Sequence, residues 1–268
     1  MDSETHKVAG GSPERFGYEW DNYAYITPEH EEQFRRWLPF FDTHYWAGKC
    51  FVDVGCGMGR NRPMTYGALK GYAINLDDRS LAAARRNLKD FPQVSVQKCS
   101  AYDIPWSSEA DVVFSIGVIH HLEFPADALA AMTRATPGGN VAIWVYGREN
   151  NAWIVWAFNP IRKLLFSRLP VSWVHVISIF PTSLLWLALR LGLNRLAYFR
   201  LLRTLSFRHL RSIVFDQMLP RIANYWTRAE VLTLMESAGL QDVEIAWVNE
   251  ISWAARGRAR RAQEFGSS

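Results

Sequence analysis

The stretch FVDVGCGMGRNRP, Phe51 to Pro63, places three glycines within five residues directly after an apolar run. Glycine adopts backbone conformations that other residues avoid, and it lets a ligand approach the main chain closely. We expect the strand to turn at once into a helix, whose N-terminus would present backbone N–H groups to a bound group. The stretch predicts either a nucleotide-binding loop or a plain turn between a strand and a helix. The residues around it decide between these two interpretations.

Strand and helix patterns alternate from Cys50 to Gly147. Short segments rich in β-branched and aromatic residues predict buried strands; they are CFVDVG, GYAINL, VSVQK, DVVFSI and NVAIWVY. Apolar residues at three and four spacing predict helices over residues 79–91 and 126–135. This alternation is typical of an α/β fold with a doubly wound sheet.

Composition excludes several classes of protein. The chain has 268 residues, of which 49% are hydrophobic, so it can bury a full core and is not disordered. Cys50, Cys56 and Cys99 form no CxxC pair, which argues against a disulfide framework or a zinc site, and no metal is expected. The first twenty residues lack the apolar core of a secretory signal, so a cytoplasmic location is expected.

Charge is distributed unevenly along the chain. Residues 1–147 contain 14 Lys and Arg against 18 Asp and Glu, whereas residues 148–268 contain 16 against 8. Between Glu149 and Asp216 there is no acidic residue, while nine basic residues alternate with Trp, Leu and Phe. Residues 150–215 therefore form a segment of their own, different in character from the predicted sheet.

Polar side chains follow the second predicted strand. Asn75 and Asp77 come twenty and twenty-two residues after Gly55, where a side chain can reach ribose hydroxyls. Asp77 could instead cap the helix that begins near Arg79. The glycine turn and these residues together favour a nucleotide site.

VDVGCGMGR resembles motif I of the class I S-adenosylmethionine-dependent methyltransferases. The segments SAYDIPW, ADVVFSIGVIHHL and ATPGGNVAIWVYG are similar to the family's later segments and follow in the same order. A dinucleotide oxidoreductase is the nearest alternative, but its fingerprint spaces the glycines differently. The resemblance implies a seven-stranded, mostly parallel sheet whose last strand is antiparallel. It also implies S-adenosyl-L-methionine as cofactor and S-adenosyl-L-homocysteine as product.

The resemblance assigns cofactor contacts residue by residue. Asp53 would support the glycine turn, Asn75 would replace the family's ribose-binding acid, and Ser100 would replace an adenine-binding Asp. An amide can accept one hydrogen bond and donate another, so ribose binding is still expected. The cofactor-binding residues implied are Tyr18, Trp20, Asp53, Gly55, Cys56, Gly57, Asn75, Leu76, Ser100, Ala101 and Ile116.

The segment RFGYEWDNYAYITPEHEEQF precedes the sheet and resembles an N-terminal segment of small-molecule methyltransferases. In one interpretation Tyr18, Trp20 and Tyr23 fold over the cofactor and exclude water. In the other they form an aromatic clasp that only packs a helix onto the sheet.

Methyl transfer requires alignment, exclusion of water and in some cases removal of a proton. His120 and His121 follow the fourth strand, where an imidazole could act as a general base. Alternatively, they order the loop or cap the helix that begins near Pro125. Tyr146 and Glu149, just after the fifth strand, are further acid-base candidates.

The basic insertion has two open interpretations. It could be a helical cap over the sheet, with apolar faces that line an acceptor pocket. It could also be an interfacial surface that takes a substrate from a membrane. Residues 168–190 are long enough to span a bilayer, but Pro170 and Pro181 interrupt them and no full span is expected. No nucleic-acid partner is expected, because the arginines alternate with apolar residues.

After the insertion the sheet pattern resumes. Thr227 and Glu230 form a capping box, Gly239 ends the helix, and strands follow over residues 243–248 and in ISWAARG. Asp216 could contact the acceptor or only neutralise nearby arginines. The full set of expected acceptor contacts is Tyr23, Glu149, Asp216, Arg221, Tyr225 and Trp226.

The sequence thus predicts an aromatic helical segment over residues 1–48, a cofactor-binding core over 49–149, an inserted cap over 150–220, the rest of the core over 221–262 and a cloning remnant over 263–268. The expected function is transfer of a methyl group to O, N or S of a small or amphipathic acceptor. A membrane-associated lipid or quinone methyltransferase and a catalytically silent cofactor-binding subunit are the alternatives. Oligomeric state is not predicted.

Overall fold

The computed structural model describes residues 12–105, 110–193 and 195–261. The first eleven residues and the predicted cloning remnant lie outside the described residues. The elements in chain order are α1 (Pro13–Tyr23), α2 (Pro28–Trp37), β1 (Cys50–Val54), β2 (Lys70–Asn75), α3 (Asp78–Asn87), β3 (Val94–Lys98), β4 (Val112–Ile116), α4 (Pro125–Ala135), β5 (Asn140–Tyr146), α5 (Val171–Ile177), α6 (Ile179–Arg190), α7 (Ala197–Thr204), α8 (Phe207–Met218), α9 (Arg228–Ser237), β6 (Leu240–Val248) and β7 (Ser252–Ala259).

The seven strands form one sheet in the order β3-β2-β1-β4-β5-β7-β6. All pairs among β1 to β5 are parallel, and β7 lies antiparallel between β5 and β6. Buried cores cover both faces of the sheet, as the near-continuous apolar composition of the parallel strands requires. The predicted fold class is confirmed, with the last strand antiparallel.

The expectation that motif I turns directly into a helix was wrong. Gly55, Gly57 and Gly59 have φ values of 79°, 54° and 75°, all in the left-handed region. A right-handed helix requires negative φ at each residue, so this alternation excludes a helix through the turn. Only a short 3₁₀ helix, Pro63–Tyr66, stands between the turn and β2. The turn is therefore not a helix terminus: the N–H groups of Gly55 and Cys56 both donate to Ile74 O at 2.9 Å.

Helix ends follow the predicted capping chemistry. The Asp77 carboxylate accepts a hydrogen bond from Ser80 N at 2.9 Å, so Asp77 caps α3, which confirms that alternative. The capping box of Thr227 and Glu230 is present at α9. The two final strands are longer than predicted, because backbone pairing with the neighbouring strand continues past the apolar positions.

The insertion between β5 and α9 is helical throughout most of its described length. Residues 154–166 form wide helical turns, and α5 to α8 follow with two small cores of their own, built around Phe215 and Leu210. The stretch Val171–Arg190 is long and apolar enough to cross a membrane by length and composition, and only 17% of its most apolar window is buried. Length and composition alone leave an interfacial position equally compatible.

Candidate functional site

A cavity of about 830 Å³ lies at the carboxyl end of the parallel strands. Parallel strands all end at the same edge of a sheet, so the residues that follow β1, β2, β4 and β5 meet there. The insertion and the N-terminal helices close the cavity from above, and most of its lining is apolar. A site of this size and composition suits a cofactor together with an apolar acceptor.

The glycine turn and Trp20 form one wall of this cavity. A Cβ on Gly57 would lie 3.2 Å from the Trp20 indole, and a Cβ on Gly55 would lie 2.3 Å from Val118 Cγ2. The Arg60 guanidinium stacks at 5.6 Å from the Trp20 ring and 4.9 Å from the Trp37 ring. A residue larger than glycine at either position would therefore collide with the Val118 or Trp20 side chain unless that side chain moved.

Asp53 supports this turn from behind and does not line the cavity. It is 2% exposed and accepts a hydrogen bond from Asn61 Nδ2 at 3.0 Å. Burial raises the pKa of the Asp53 carboxyl to about 7, although the Asn61 hydrogen bond opposes the shift. Within the described ranges, Asp53 Oδ1 and Asn61 Oδ1 have no hydrogen-bond partner. Asn61 itself lines the cavity.

The ends of β2 and β3 supply the second wall. Asn75 Oδ1 accepts the backbone N–H groups of Leu76 at 2.8 Å and Asp77 at 3.2 Å, so both lone pairs are engaged. A ribose contact from Asn75 would therefore come from its Nδ2 donors. Ser100 Oγ accepts from Tyr102 N at 3.2 Å. The predicted cofactor residues that line the cavity are Trp20, Gly55, Cys56, Gly57, Asn75, Leu76, Ser100, Ala101 and Ile116.

The N-terminal aromatic residues divide between the two proposed roles. Trp20 and Tyr23 line the cavity. Tyr18 packs outside the cavity, with ring centroids 5.8 Å from His175 and 6.1 Å from Phe215. Trp20 and Tyr23 therefore face the cavity, whereas Tyr18 packs α1 against the insertion.

The two histidines of the fourth-strand motif differ in their surroundings. His120 is fully buried, stacks on Tyr146 with centroids 3.8 Å apart and does not line the cavity. His121 lines the cavity, and its Nδ1 must carry the proton that it donates to Ile222 O at 2.8 Å. Burial lowers the pKa of His121 to about 3 and that of His120 well below the ordinary value. Both imidazoles are thus neutral and weakly basic.

A directed chain of hydrogen bonds ends at Asp216. Tyr225 OH donates to Gln217 Oε1 at 3.4 Å, and Gln217 Nε2 donates to the Tyr146 oxygen at 2.6 Å. Tyr146 must then use its own proton, which it donates to Asp216 Oδ2 at 3.4 Å. Burial raises the pKa of the Tyr146 phenol well above its ordinary value, so Tyr146 is a donor here and not a base.

Three predicted acceptor contacts lie away from the cavity. Glu149 accepts from Trp253 Nε1 at 3.1 Å, and Arg221 pairs with Glu14 at 3.2 Å on the surface. Trp226 N donates to Tyr146 O at 3.1 Å, and its backbone forms an isolated parallel bridge with Gly147 beyond the end of β5. Tyr23, Asp216 and Tyr225 do line the cavity.

Sequence reasoning missed several polar residues of the site. Glu19 belongs to the quoted aromatic segment, yet nothing in its spacing indicates that it faces Asp216, about two hundred positions later in the chain. Arg60 and Asn61 follow the glycine motif directly and could have been weighed. Arg162 is one of the nine basic residues of the insertion in the sequence but is fully buried.

Comparison with known proteins places the sheet in a family. Residues 52–143 match the model described as "Methyltransferase domain". This part of the chain is a class I methyltransferase domain. The match runs from within β1 to within β5 and includes the glycine turn, and so contains the ends of β1, β2 and β4 that border the cavity.

Similar proteins agree with this assignment. The ubiquinone biosynthesis O-methyltransferase of Aromatoleum aromaticum is 28% identical over 144 residues, which are 50% of this chain and 60% of that protein. The tRNA U34 carboxymethyltransferase of Methylococcus capsulatus is 34% identical over 36% of this chain and 32% of its own length. Human N-acetylserotonin methyltransferase, solved with its cofactor, shares the fold at a TM-score of 0.53 and 14% identity, covering 97% of this chain and 59% of that one. The chain thus spans less than two thirds of the length of these proteins.

S-adenosylmethionine is the cofactor of a class I methyltransferase domain, and the described residues fit it. Gly55 and Gly57 let Val118 and Trp20 pack directly against the turn at the cavity wall, and Asn75 and Ala101 lie at neighbouring strand ends. The methionine end would lie along this wall, beside Trp20.

Proposed function

We propose that the chain is an S-adenosylmethionine-dependent methyltransferase that acts on O, N or S of a small or amphipathic acceptor. One observation carries the proposal: the glycine turn of the methyltransferase domain borders a partly open, largely apolar cavity. Its volume of about 830 Å³ lies in the upper part of the range of about 300–1,000 Å³ that is typical of small-molecule sites, so it has room for more than one small molecule. The space that the cofactor leaves is available to an acceptor.

The chain's own residues align the reactants and exclude water. When bound, the cofactor supplies an activated methyl group, so the protein needs mainly to orient the acceptor atom. Trp20 covers the glycine turn, and Arg60 holds Trp20 against Trp37 by cation–π stacking. An indole held in this way keeps water from the reacting atoms.

The insertion supports an apolar acceptor. Its residues Ile154, Ile161, Phe180, Leu184 and Leu193 contribute to the cavity lining. Similarity to an O-methyltransferase of ubiquinone biosynthesis, whose name indicates an apolar product, is consistent with this acceptor class. The acceptor would place its apolar part among the insertion's helices and its reactive atom near the strand ends.

A membrane-associated form of the same activity is the second candidate, and the outer face of the insertion favours it. Large apolar side chains are exposed there, including Trp156 at 81%, Leu191 at 79% and Trp173 at 65%. The same segment carries nine basic and no acidic residues, which complements an anionic lipid surface. We therefore propose a cytoplasmic enzyme that binds the inner face of a membrane peripherally.

Isothermal titration with S-adenosylmethionine, S-adenosylhomocysteine and NAD tests the proposal. We expect binding of the first two and none of NAD. Labelled methyl transfer from S-adenosylmethionine to a lipid extract, with and without liposomes, would then identify the acceptor. Binding of NAD alone would contradict the proposal, and cofactor binding without transfer to any acceptor would favour a catalytically silent subunit.

A further inference from the structure

Glu19 and Asp216 bring two carboxyl groups together in the cavity wall. Glu19 comes from α1 and is 2% exposed, while Asp216 comes from α8 and is half-buried, with its open side toward the cavity. The two carboxyl groups share a hydrogen bond. Two carboxylates in contact inside a protein do not both ionise, so the pair holds one proton.

Hydrogen-bond directions assign that proton to Glu19. Asp216 Oδ2 accepts from Tyr146, whose oxygen is already occupied by the Gln217 amide donor. Glu19 Oε2, by contrast, has no N–H or hydroxyl donor among the described residues. The carboxyl that receives donors is the ionised one, and the carboxyl that lacks them is the acid. Burial and the neighbouring carboxylate accordingly raise the pKa of Glu19 well above its ordinary value.

Positive charge surrounds the pair. Arg60 lines the cavity, and Arg162 is fully buried and acts on both Tyr225 and Asp216. Both guanidinium groups act on Asp216. The two guanidinium groups outnumber the single negative charge of the carboxyl pair, so the net charge around the pair is positive. Such a site disfavours binding of a cationic amine and favours an acceptor group that becomes an anion. A hydroxyl that loses its proton is such a group.

We infer that the acceptor carries a hydroxyl group and that Asp216, held by Glu19 and Tyr146, takes the proton from it. This inference rests on the proposed function and specifies its acceptor class as an acidic hydroxyl on an apolar body. The hydroxyl proton moves to Asp216, the oxygen keeps the electron pair, and a new C–O bond forms as the cofactor's S–CH₃ bond breaks. Sulfur keeps that bond's electrons, so the products are the methyl ether, the neutral thioether and a protonated Asp216. Asp216 is the catalytic residue and Glu19 is a positioning residue.

The groups that face Asp216 and set its titration come from several elements. They are Glu19, Arg60, Tyr146, Arg162, Tyr198 and Tyr225. Burial raises the pKa of Asp216 to about 6, and the two arginines and the hydrogen bonds from Glu19 and Tyr146 limit the rise. A carboxylate of that basicity suits deprotonation of an acidic hydroxyl near neutral pH.

The pH dependence of methyl transfer tests removal of the proton. A phenol with a long alkyl chain is the probe, and transfer of a labelled methyl group to its oxygen is measured from about pH 5 to about pH 8. We expect the wild-type rate to rise with pH through about 6, where Asp216 loses its proton and becomes able to accept one. Asp216→Asn should lose this dependence, and the exposed control Asp90→Asn should keep it. The same profile in wild type and Asp216→Asn, or no methylation of the probe by the wild type, would overturn the inference.

Two further measurements separate the roles. Labelled methyl transfer to the probe should fall by about 10²- to 10⁴-fold in Asp216→Asn, the usual loss for a general base. In infrared spectra at neutral pH, Glu19→Gln should lose a carboxylic-acid band that Asp90→Asn keeps, and an unchanged band would overturn the assignment of the proton.

Calorimetry with S-adenosylmethionine on each variant separates the failure of this inference from the failure of the proposed function. A wild type that binds no cofactor defeats the proposed function, whereas normal cofactor binding with an unaffected Asp216→Asn defeats only this inference.

Discussion

The indole of Trp20 lies directly over Gly57, so that a Cβ at position 57 would stand 3.2 Å from the ring. Residues 37 positions apart in the sequence thereby form one wall of the cavity. Gly57 also has a φ of 54°, a conformation that costs an L-residue about 1–2 kcal/mol. The turn is shaped both by backbone conformation and by the lack of a side chain.

Gly57→Ala is expected to weaken S-adenosylmethionine binding by about tenfold or more, which corresponds to roughly 1.4 kcal/mol. The added methyl group would displace Trp20 and enter the space of the cofactor. Calorimetry measures the affinity. Gly48→Ala is a matched control, because Gly48 has a φ of 72° but nothing lies within 4 Å of its Cβ position. The control should lose stability without losing affinity, and equal affinity losses in both variants would contradict the role of the turn.

Asp53→Asn should change how stability depends on pH. The pKa of Asp53 in the folded chain, about 7, lies above the ordinary value of 3.8, so between these values the unfolded chain releases a proton that the folded chain keeps. The wild type therefore loses stability relative to the variant as pH rises from about 4 to 7, by up to roughly 4 kcal/mol at 1.36 kcal/mol per pKa unit. Urea unfolding of both proteins without ligand at the two ends of this range measures the difference. A difference that is independent of pH would refute the raised pKa.

His120 is expected to serve packing and not proton transfer. It is fully buried, and neither ring nitrogen has a hydrogen-bond partner among the residues described. His120→Ala should lower the free energy of unfolding by about 2–4 kcal/mol, because a cavity is left behind. His120→Leu should be close to neutral, because it fills most of the space and removes two unpaired polar atoms. Loss of methyl transfer in a stable His120→Leu variant with normal cofactor affinity would restore the histidine as a candidate base.

The exposed tryptophans of the insertion should control membrane binding. Trp156 and Trp173 are 81% and 65% exposed, and each Trp→Ser change should lower binding to vesicles of phosphatidylcholine and phosphatidylglycerol by roughly tenfold, or about 1.4 kcal/mol. Raised salt should weaken binding by screening the arginines. Flotation of vesicles with bound protein measures this. Leu69→Ser is the control, because Leu69 is 68% exposed but lies outside the insertion. Equal effects of all three substitutions would argue against a specific membrane face.

The sequence by itself determined the sheet and the position of the cofactor site. Strand composition, the glycine motif and Asp77 are local signals, because backbone conformation and capping depend on residues within a few positions. At the turn after β1 the sequence predicts the start of a helix, and this prediction is wrong because the positive φ values of the alternating glycines exclude one.

Only the tertiary structure decided which polar groups meet in the cavity. Glu19 faces Asp216 across nearly two hundred residues, and Arg162 is buried although its neighbours along the chain are exposed. Glu149 and Arg221 have charged side chains that could bind an acceptor, but they lie outside the cavity. Which face of a helix turns inward depends on what packs against it, and the helices of an insertion can pack in many ways that local sequence does not distinguish. The site of the methyl donor can therefore be predicted from short contiguous motifs. The site of the acceptor forms only when elements that are distant in the sequence pack together.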